Sequence, residues 1–152
     1  MEQAGMKEGV AIAVSAGELI DRITILQIKS ERIQDPDKLG NVHTELSGLL
    51  QVRRRQMNSD DSILLLEGRL RNINENLWDI EDAIRRCERI QDFGNRFVQL
   101  ARSVYLRNDQ RASVKREIND LLGSRIVEEK EYDQYASLED TSDADAPAAT
   151  IH

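Results

Sequence analysis

The chain has 152 residues with 21 basic and 28 acidic side chains, which give a formal net charge of -7. This length allows one domain with one hydrophobic core, and the acidic balance argues against a general nucleic-acid binder, which needs an excess of basic residues. The single cysteine, Cys87, can form no internal disulfide, and no apolar run is long enough to span a bilayer. We therefore expect a cytoplasmic protein with neither nucleic acid nor a membrane as its partner.

The N-terminal part of the chain predicts a leader, a short apolar segment and a helix. Residues 1–9 have the composition of a flexible leader. Val10–Val14 is β-prone, but a strand there needs a partner strand, which a second copy of the protein could supply. Ser15 and Glu18 have the spacing of a capping box, which predicts a helix from Ser15 to about Ile33.

The middle of the chain predicts an antiparallel helical hairpin. Asp35 followed by proline is typical of a helix start, and the polar residues 58–61 can reverse the chain. We expect helices at Pro36–Met57 and Asp60–Gln91, paired as a coiled coil because apolar residues recur in alternating steps of three and four. The repeat comprises Leu39, Val42, Leu46 and Leu49 in the first helix, and Ile63, Leu66, Leu70, Ile73, Leu77, Ile80, Ile84 and Cys87 in the second.

The C-terminal part predicts helices that cap the hairpin. Aromatic residues enter at 93–105, and the pair Asn108-Asp109 predicts a break before a further helix that Gly123 ends. Ser124 can cap a last helix. From residue 137 the chain is rich in Ala, Asp, Ser and Thr and predicts a disordered acidic tail.

Together these elements predict an all-α fold with a long antiparallel coiled-coil hairpin, a flanking N-terminal helix and a C-terminal helical cap. At most one short N-terminal strand is expected. The predicted boundaries are a flexible leader at 1–9, a single helical domain at 10–136 and a disordered acidic tail at 137–152.

A first polar group lies on the first predicted helix. Glu18 and Arg22 are one turn apart, Lys29 follows two turns later on the same face, and Asp21 is adjacent. These residues are either a capping glutamate with a solvent-exposed ion pair or a cluster that binds an anionic or metal-bound ligand.

A second polar group accompanies the only tryptophan. Trp78, Asp82 and Arg85 fall on the face of the long helix opposite to its apolar repeat. Because a tryptophan is rarely left fully in water, either another helix packs on this face, or Trp78 is the wall of a ligand pocket with Asp82 and Arg85 as its polar groups.

A third polar group lies between residues 101 and 119, where large hydrogen-bonding side chains flank the predicted break. They form either a salt-bridge network at the surface or an anion site at a helix N-terminus. The members are Arg102, Tyr105, Asn108, Asp109, Arg111, Lys115 and Asn119. A fourth group consists of the three arginines at residues 53–55. They form either a solvated surface cluster or a contact site for phosphates or an acidic partner.

Magnesium is the one cofactor for which the sequence offers ligands. Glu18 and Asp21 have the spacing of the carboxylate pairs in helical nucleotide pyrophosphatases, and Asp79 and Asp82 could face them across helices. Such pairs arise by chance about five times in a chain this acidic, so no confident metal site follows. No Gly-rich phosphate loop, nucleophile motif or histidine site is present, so catalytic residues stay unassigned.

Several of these motifs occur in one order and resemble an uncharacterised family of small bacterial helical proteins, a domain of unknown function. The resemblance covers roughly residues 12 to 135 and implies a small soluble protein with no assigned activity and a loose association with glycosyltransferases of cell-surface polysaccharide synthesis. The segments that carry it are Gly17–Leu26 with Lys29, Leu77–Asp82 with Arg85, Phe97 through Leu100–Tyr105, Asn108-Asp109, Lys115–Asn119 and Glu128–Lys130.

Two functions fit this sequence. The first is a helical interaction or accessory module that forms a homo-oligomer or binds a protein partner through its helical surface. The alternative is a small-ligand-binding protein or an enzyme, with a polar pocket for an anionic or nucleotide-type substrate and a possible need for Mg²⁺. A ligand site requires the polar groups to converge on one cavity, whereas a scaffold scatters them and exposes an apolar strip.

Overall fold

The computed structural model describes residues 9–123, which form four helices and no strand. The all-α prediction is therefore confirmed for this part of the chain. Val10–Val14 has no regular secondary structure, so no strand forms there within a single copy of the chain. The predicted leader up to residue 8, the helix after Ser124 and the acidic tail lie outside the described residues. The helices are α1 (Ala16–Arg32), α2 (Pro36–Gln56), α3 (Asp61–Arg89) and α4 (Asn95–Leu122).

The helix ends follow the predicted capping signals. The side chains of Ser15, Asp35 and Asp60 each accept a hydrogen bond from a backbone N–H group in the first turn of α1, α2 and α3. Gly123 ends α4 in the left-handed conformation, with φ at 62°, which a residue with a side chain adopts at a cost. Local sequence thus determines where these helices begin and end.

A long antiparallel hairpin is present, but α3 pairs with α4 rather than with α2. The Arg69–Glu117 ion pair, at 3.0 Å, joins the start of α3 to the end of α4. The predicted break at Asn108-Asp109 was wrong, because α4 runs through it as one helix. A continuous α4 is long enough to cover the apolar face of α3, and α1 packs against both helices.

Helix α2 is peripheral and packs mainly on α1. Val42 is its only buried residue, so its heptad repeat is covered by α1 and not by the apolar face of α3. Arg53 donates two hydrogen bonds of 2.6 Å to the Glu67 carboxylate on α3 and thereby ties the end of α2 to the hairpin. Arg53 is therefore not part of a solvated cluster, whereas Arg54 and Arg55 are exposed.

The hydrophobic core lies where α1 crosses the hairpin. Ile20 from α1, Ile63 and Leu70 from α3, and Val114 and Ile118 from α4 form one cluster in which each side chain is almost completely buried. Burial of such side chains contributes roughly 1.5 to 3 kcal/mol each. The same α1–α4 contact carries the polar residues described below. None of the helices in the described chain is long and apolar enough to cross a membrane.

Candidate functional site

A glycine sets the distance between α1 and α4. A Cβ atom at Gly17 would clash with the carbonyl oxygen of Lys115 and lie 2.9 Å from Oδ1 of Asn119. The backbone N–H of Gly17 instead donates a buried hydrogen bond of 2.7 Å to that Asn119 oxygen. The first turn of α1 therefore lies directly on the last turns of α4, and the polar residues of both helices come within contact distance.

The fully buried carboxylate of Asp21 lies where α1, α3 and α4 meet. Arg111 on α4 donates to both carboxylate oxygens, from Nε at 3.0 Å and from Nη2 at 2.5 Å. Asn74 on α3 donates to Oδ1 of Asp21 and to Oγ1 of Thr24, each at 2.9 Å. The Thr24 hydroxyl in turn donates to the Asp21 carbonyl oxygen at 2.8 Å. One carboxylate thus joins three helices.

Glu18 forms the outer part of the same cluster. Lys115 Nζ lies 2.5 Å from Glu18 Oε2 and 3.9 Å from Asp21 Oδ2, and Arg22 Nε donates to Glu18 Oε1 at 2.8 Å. Partial burial would raise the pKa of Glu18, but the hydrogen bonds and charges of Lys115 and Arg22 outweigh it and lower the pKa to about 2. The hydrogen bond to Glu18 raises the pKa of Arg22. Glu18 is therefore ionised at neutral pH.

We call Glu18, Asp21, Asn74, Arg111 and Lys115 the ion-pair cluster. Among the described residues, every buried side-chain nitrogen and oxygen has a hydrogen-bond partner. A carboxylate already saturated by cationic donors is poorly suited to accept a substrate proton or to bind a metal ion. The cluster therefore fixes the positions of the helices, and in it Glu18 and Asp21 of the first polar group meet Arg111 and Lys115 of the third.

The magnesium candidates are not brought together. Within residues 9–123, no group of three or more His, Cys, Asp or Glu side chains could hold a metal ion. Glu18 and Asp21 are held by cations, and Asp79 accepts a hydrogen bond of 2.5 Å from Arg32 on the outside of the bundle. Asp82 lies in a separate groove. These four residues therefore do not form a metal site.

The second polar group lies along an open groove between α1 and α3, with a volume of about 490 Å³. Its floor is apolar, and Trp78 forms part of its wall with the Arg32 guanidinium 5.8 Å from the ring centroid. Asn74 lines the groove as well, so the groove adjoins the ion-pair cluster. The lining residues of this α1–α3 groove are Ile25, Ile28, Lys29, Asn74, Leu77, Trp78, Glu81, Asp82 and Arg85.

The charges at the rim of the α1–α3 groove are weakly paired. Arg85 is 77% exposed, and its Nε lies 3.9 Å from Glu81 Oε2. In the described part of the chain, the side chains of Lys29 and Asp82 form no ion pair and no hydrogen bond. Helix α1 therefore packs beside Trp78 and leaves an open groove at its ring, and the interpretation that this groove binds a ligand stays a prediction.

The remaining sequence candidates lie on α4. Asn108 accepts a hydrogen bond of 3.4 Å from Arg111 and so lies at the edge of the ion-pair cluster, and Asn119 is bound to Gly17. Arg102 Nε donates to the Tyr105 hydroxyl at 3.3 Å, on an exposed part of the helix. Arg102, Tyr105 and Asp109 do not line the α1–α3 groove. Many of the predicted site residues thus gather at two adjacent places rather than at one cavity, whereas Arg102 and Tyr105 lie apart from both on α4.

Asn74 and Thr24 were not among the residues predicted from the sequence, and Arg111 was predicted only at a helix break that is absent. A signal for Asn74 existed, because it lies four residues after Leu70 and three before Leu77 and is therefore on the buried side of α3. A buried amide at such a position needs polar partners on a neighbouring helix. Arg111 had no comparable signal, since its role depends on the pairing of α1 with α4.

Comparison with known proteins identifies one family. No curated protein and no solved structure matches the chain. The model of a family described as Family of unknown function (DUF6165) matches residues 10–147. That range includes the ion-pair cluster, the α1–α3 groove and the segment before α1. The chain belongs to this family of unknown function.

Proposed function

We propose that the protein is a helical binding module and that the α1–α3 groove is its recognition site. One observation carries the proposal: the rim charges Lys29 and Asp82 have no ion-pair partner in the described chain, although the ion-pair cluster next to them is fully satisfied. Charges at the edge of an apolar groove select a ligand with complementary charges and steer its approach. The floor supplies apolar area to bury.

The ion-pair cluster supports this role by holding the groove in shape. Asn74 contributes its amide to Asp21 and also lines the groove. A groove built from two helices that a third helix holds in a fixed position is preorganised, so binding costs less ordering of the protein. Asp21 and Arg111 are therefore positioning residues for the groove.

The open shape of the groove favours a protein segment as the partner. A groove with an apolar floor and a rim of both charge signs suits an amphipathic segment that lays its apolar side chains on the floor. The leading version of the proposal is thus an accessory module that binds another protein in the cytoplasm. The resemblance found in the sequence adds the expectation that this partner takes part in cell-surface glycan synthesis.

A second candidate is a small anionic ligand. The volume of about 490 Å³ lies in the range of small-molecule sites. Trp78 offers a flat aromatic wall, and Lys29 and Arg85 offer two cations for a carboxylate or phosphate group. This candidate includes a nucleotide-type substrate, with Mg²⁺ arriving on the ligand.

Trp78 allows a direct test, because it is the only tryptophan of the chain and its fluorescence reports on the groove alone. The protein is titrated with nucleotides, nucleotide sugars and small dicarboxylates, each with and without Mg²⁺, while fluorescence and melting temperature are recorded. A ligand at a hundred times its dissociation constant adds about 2.7 kcal/mol of stability. The signal should disappear in Arg85→Ala, which removes a cation that faces the anionic ligand, and persist in Arg86→Ala, an exposed neighbour that does not line the groove.

The protein-partner version requires a second measurement in cells. A photo-crosslinking residue at position 82 should give one discrete protein adduct, whereas the same residue at Arg54, on the exposed side of α2, should give none. The adduct should be lost when Arg85→Ala is added. A fluorescence response to a small ligand without an adduct would favour the second candidate. Absence of both responses would refute the groove as a binding site.

A further inference from the structure

The segment before α1 is unusual because its backbone has no hydrogen-bond partner among residues 9–123. Residues 9–14 make no hydrogen bond within the described chain. Val10 is 80% exposed and Ile12 is 69% exposed, although both are strongly β-prone residues. A β-prone segment with open N–H and C=O groups can add to another strand. We propose that Val10–Val14 pairs with the same segment of a second copy of this chain, as an antiparallel two-stranded ribbon centred on Ile12.

The sequence of this segment is complementary to itself in that register. An antiparallel pairing centred on Ile12 places Ile12 opposite its copy and Val10 opposite Val14 of the second copy. All β-branched side chains then share one face, and Ala11 and Ala13 share the other. Cross-strand pairs of β-branched side chains stabilise a ribbon, whereas a shift by one residue would place each of them opposite a smaller residue, which is alanine in two of the three cases.

Charge also favours a second copy as the occupant. Residues 9–123 contain 18 basic and 18 acidic side chains, so this part of the chain has no net charge that would oppose contact between two copies. Residues 9–17 contain no charged side chain, and two copies can approach there without repulsion between facing side chains. A partner rich in charged residues would gain no complementary contact from this segment.

The structure also leaves room for the second copy. A cavity of about 930 Å³ lies between Val10–Val14 and the ends of α1 and α2, with Leu49, Val52 and Met57 among its lining residues. A five-residue ribbon alone buries less than the roughly 800 Å² per partner that is typical of specific dimers. The apolar lining of this cavity, to which the exposed Val52 belongs, supplies further area to the contact.

Cysteine cross-linking tests both the contact and its register. In the proposed ribbon, the two Cα atoms at position 12 are roughly 4.5 to 5.5 Å apart, which is within the range of a disulfide. The two copies of position 10 are about 14 Å apart, because four residues of strand separate them along the ribbon and the two strands are about 5 Å apart. Ile12→Cys should therefore form a disulfide-linked dimer under mild oxidation, and Val10→Cys should stay monomeric on a non-reducing gel. Cys87 is 2% exposed, so the unmodified chain serves as the background.

Two further measurements make the result decisive. A mixture of the Val10→Cys and Val14→Cys chains should give a cross-linked dimer that neither chain gives alone. The unmodified full chain should sediment as a concentration-dependent dimer, and Ile12→Asp should sediment as a monomer with an unchanged helical circular dichroism spectrum. Equal cross-linking at positions 10 and 12 would overturn the register. A monomer at all concentrations would overturn the proposal and leave the segment open to a strand from another protein. Neither outcome bears on the α1–α3 groove.

Discussion

The ion-pair cluster makes a strong prediction for Asp21→Ala. The substitution removes a fully buried carboxylate and leaves Arg111 and Asn74 without their common acceptor. Loss of one partner of a fully buried ion pair costs about 3 to 5 kcal/mol, and the lower end of that range applies here because the Arg111 side chain is 30% exposed and can be partly hydrated. The described chain is small, and proteins of this size have a free energy of unfolding of only about 5 to 15 kcal/mol. The variant should therefore melt roughly 10 to 20 °C lower.

The control is an ion pair between the same types of residue at the surface. Glu117→Ala removes the partner of Arg69 across α3 and α4, where both side chains are about half exposed. Such a pair contributes at most about 1 kcal/mol. Urea unfolding followed by circular dichroism measures the free energy of unfolding of both variants. The reasoning is refuted if Asp21→Ala loses no more stability than Glu117→Ala.

A double variant separates the charge from the packing. Replacement of both Asp21 and Arg111 by apolar residues of similar volume removes the buried charge together with its partner. Such replacements are often neutral or stabilising, whereas the single changes are not. The double variant should thus recover much of the stability lost in Asp21→Ala. A loss equal to the sum of the two single changes would mean that the pair makes no coupled contribution.

Three other predictions follow from named contacts. The pKa of Glu18 is about 2 in the folded chain, below its usual value of 4.5. The ionised Glu18 should therefore contribute about 1 to 2 kcal/mol to the free energy of unfolding after solvent screening, and this contribution should be present above pH 4.5 and lost as the pH falls toward 2. Glu18→Gln should flatten this part of the curve of stability against pH. Gly17→Ala should destabilise the chain by about 2 kcal/mol or more, because the added Cβ clashes with α4. Gly48→Ala has open space around its Cβ and should stabilise α2 by about 0.5 to 1 kcal/mol. A similar melting temperature for both variants would contradict the close approach of α1 to α4. Arg53→Ala should lower the free energy of unfolding by about 2 kcal/mol, because it leaves the largely buried Glu67 carboxylate without its hydrogen-bond donor. Arg54→Ala, at an exposed position, should have little effect in the same thermal unfolding assay.

The sequence alone determined which residues form helices. Capping residues and the proline after Asp35 act through the nearest backbone N–H groups, so their effect is local and readable. The apolar repeat from Ile63 to Cys87 likewise predicted a long helix with one buried stripe. The Asn108-Asp109 pair misled the prediction, because both residues are tolerated inside a helix when tertiary packing continues on either side of them.

Only the tertiary structure decided which helices meet. A heptad repeat shows that a helix has an apolar stripe but does not show which helix covers it. The apolar stripes of α2 and α4 could each pack against α3, and in the structure the longer helix α4 packs there. The glycine at position 17 then sets α1 against α4 and brings Asp21 to Arg111, which is 90 residues away in the chain. The polar residues were visible in the sequence as separate groups. Their division into a closed ion-pair cluster and an open groove depends on long-range packing, which local sequence patterns do not encode.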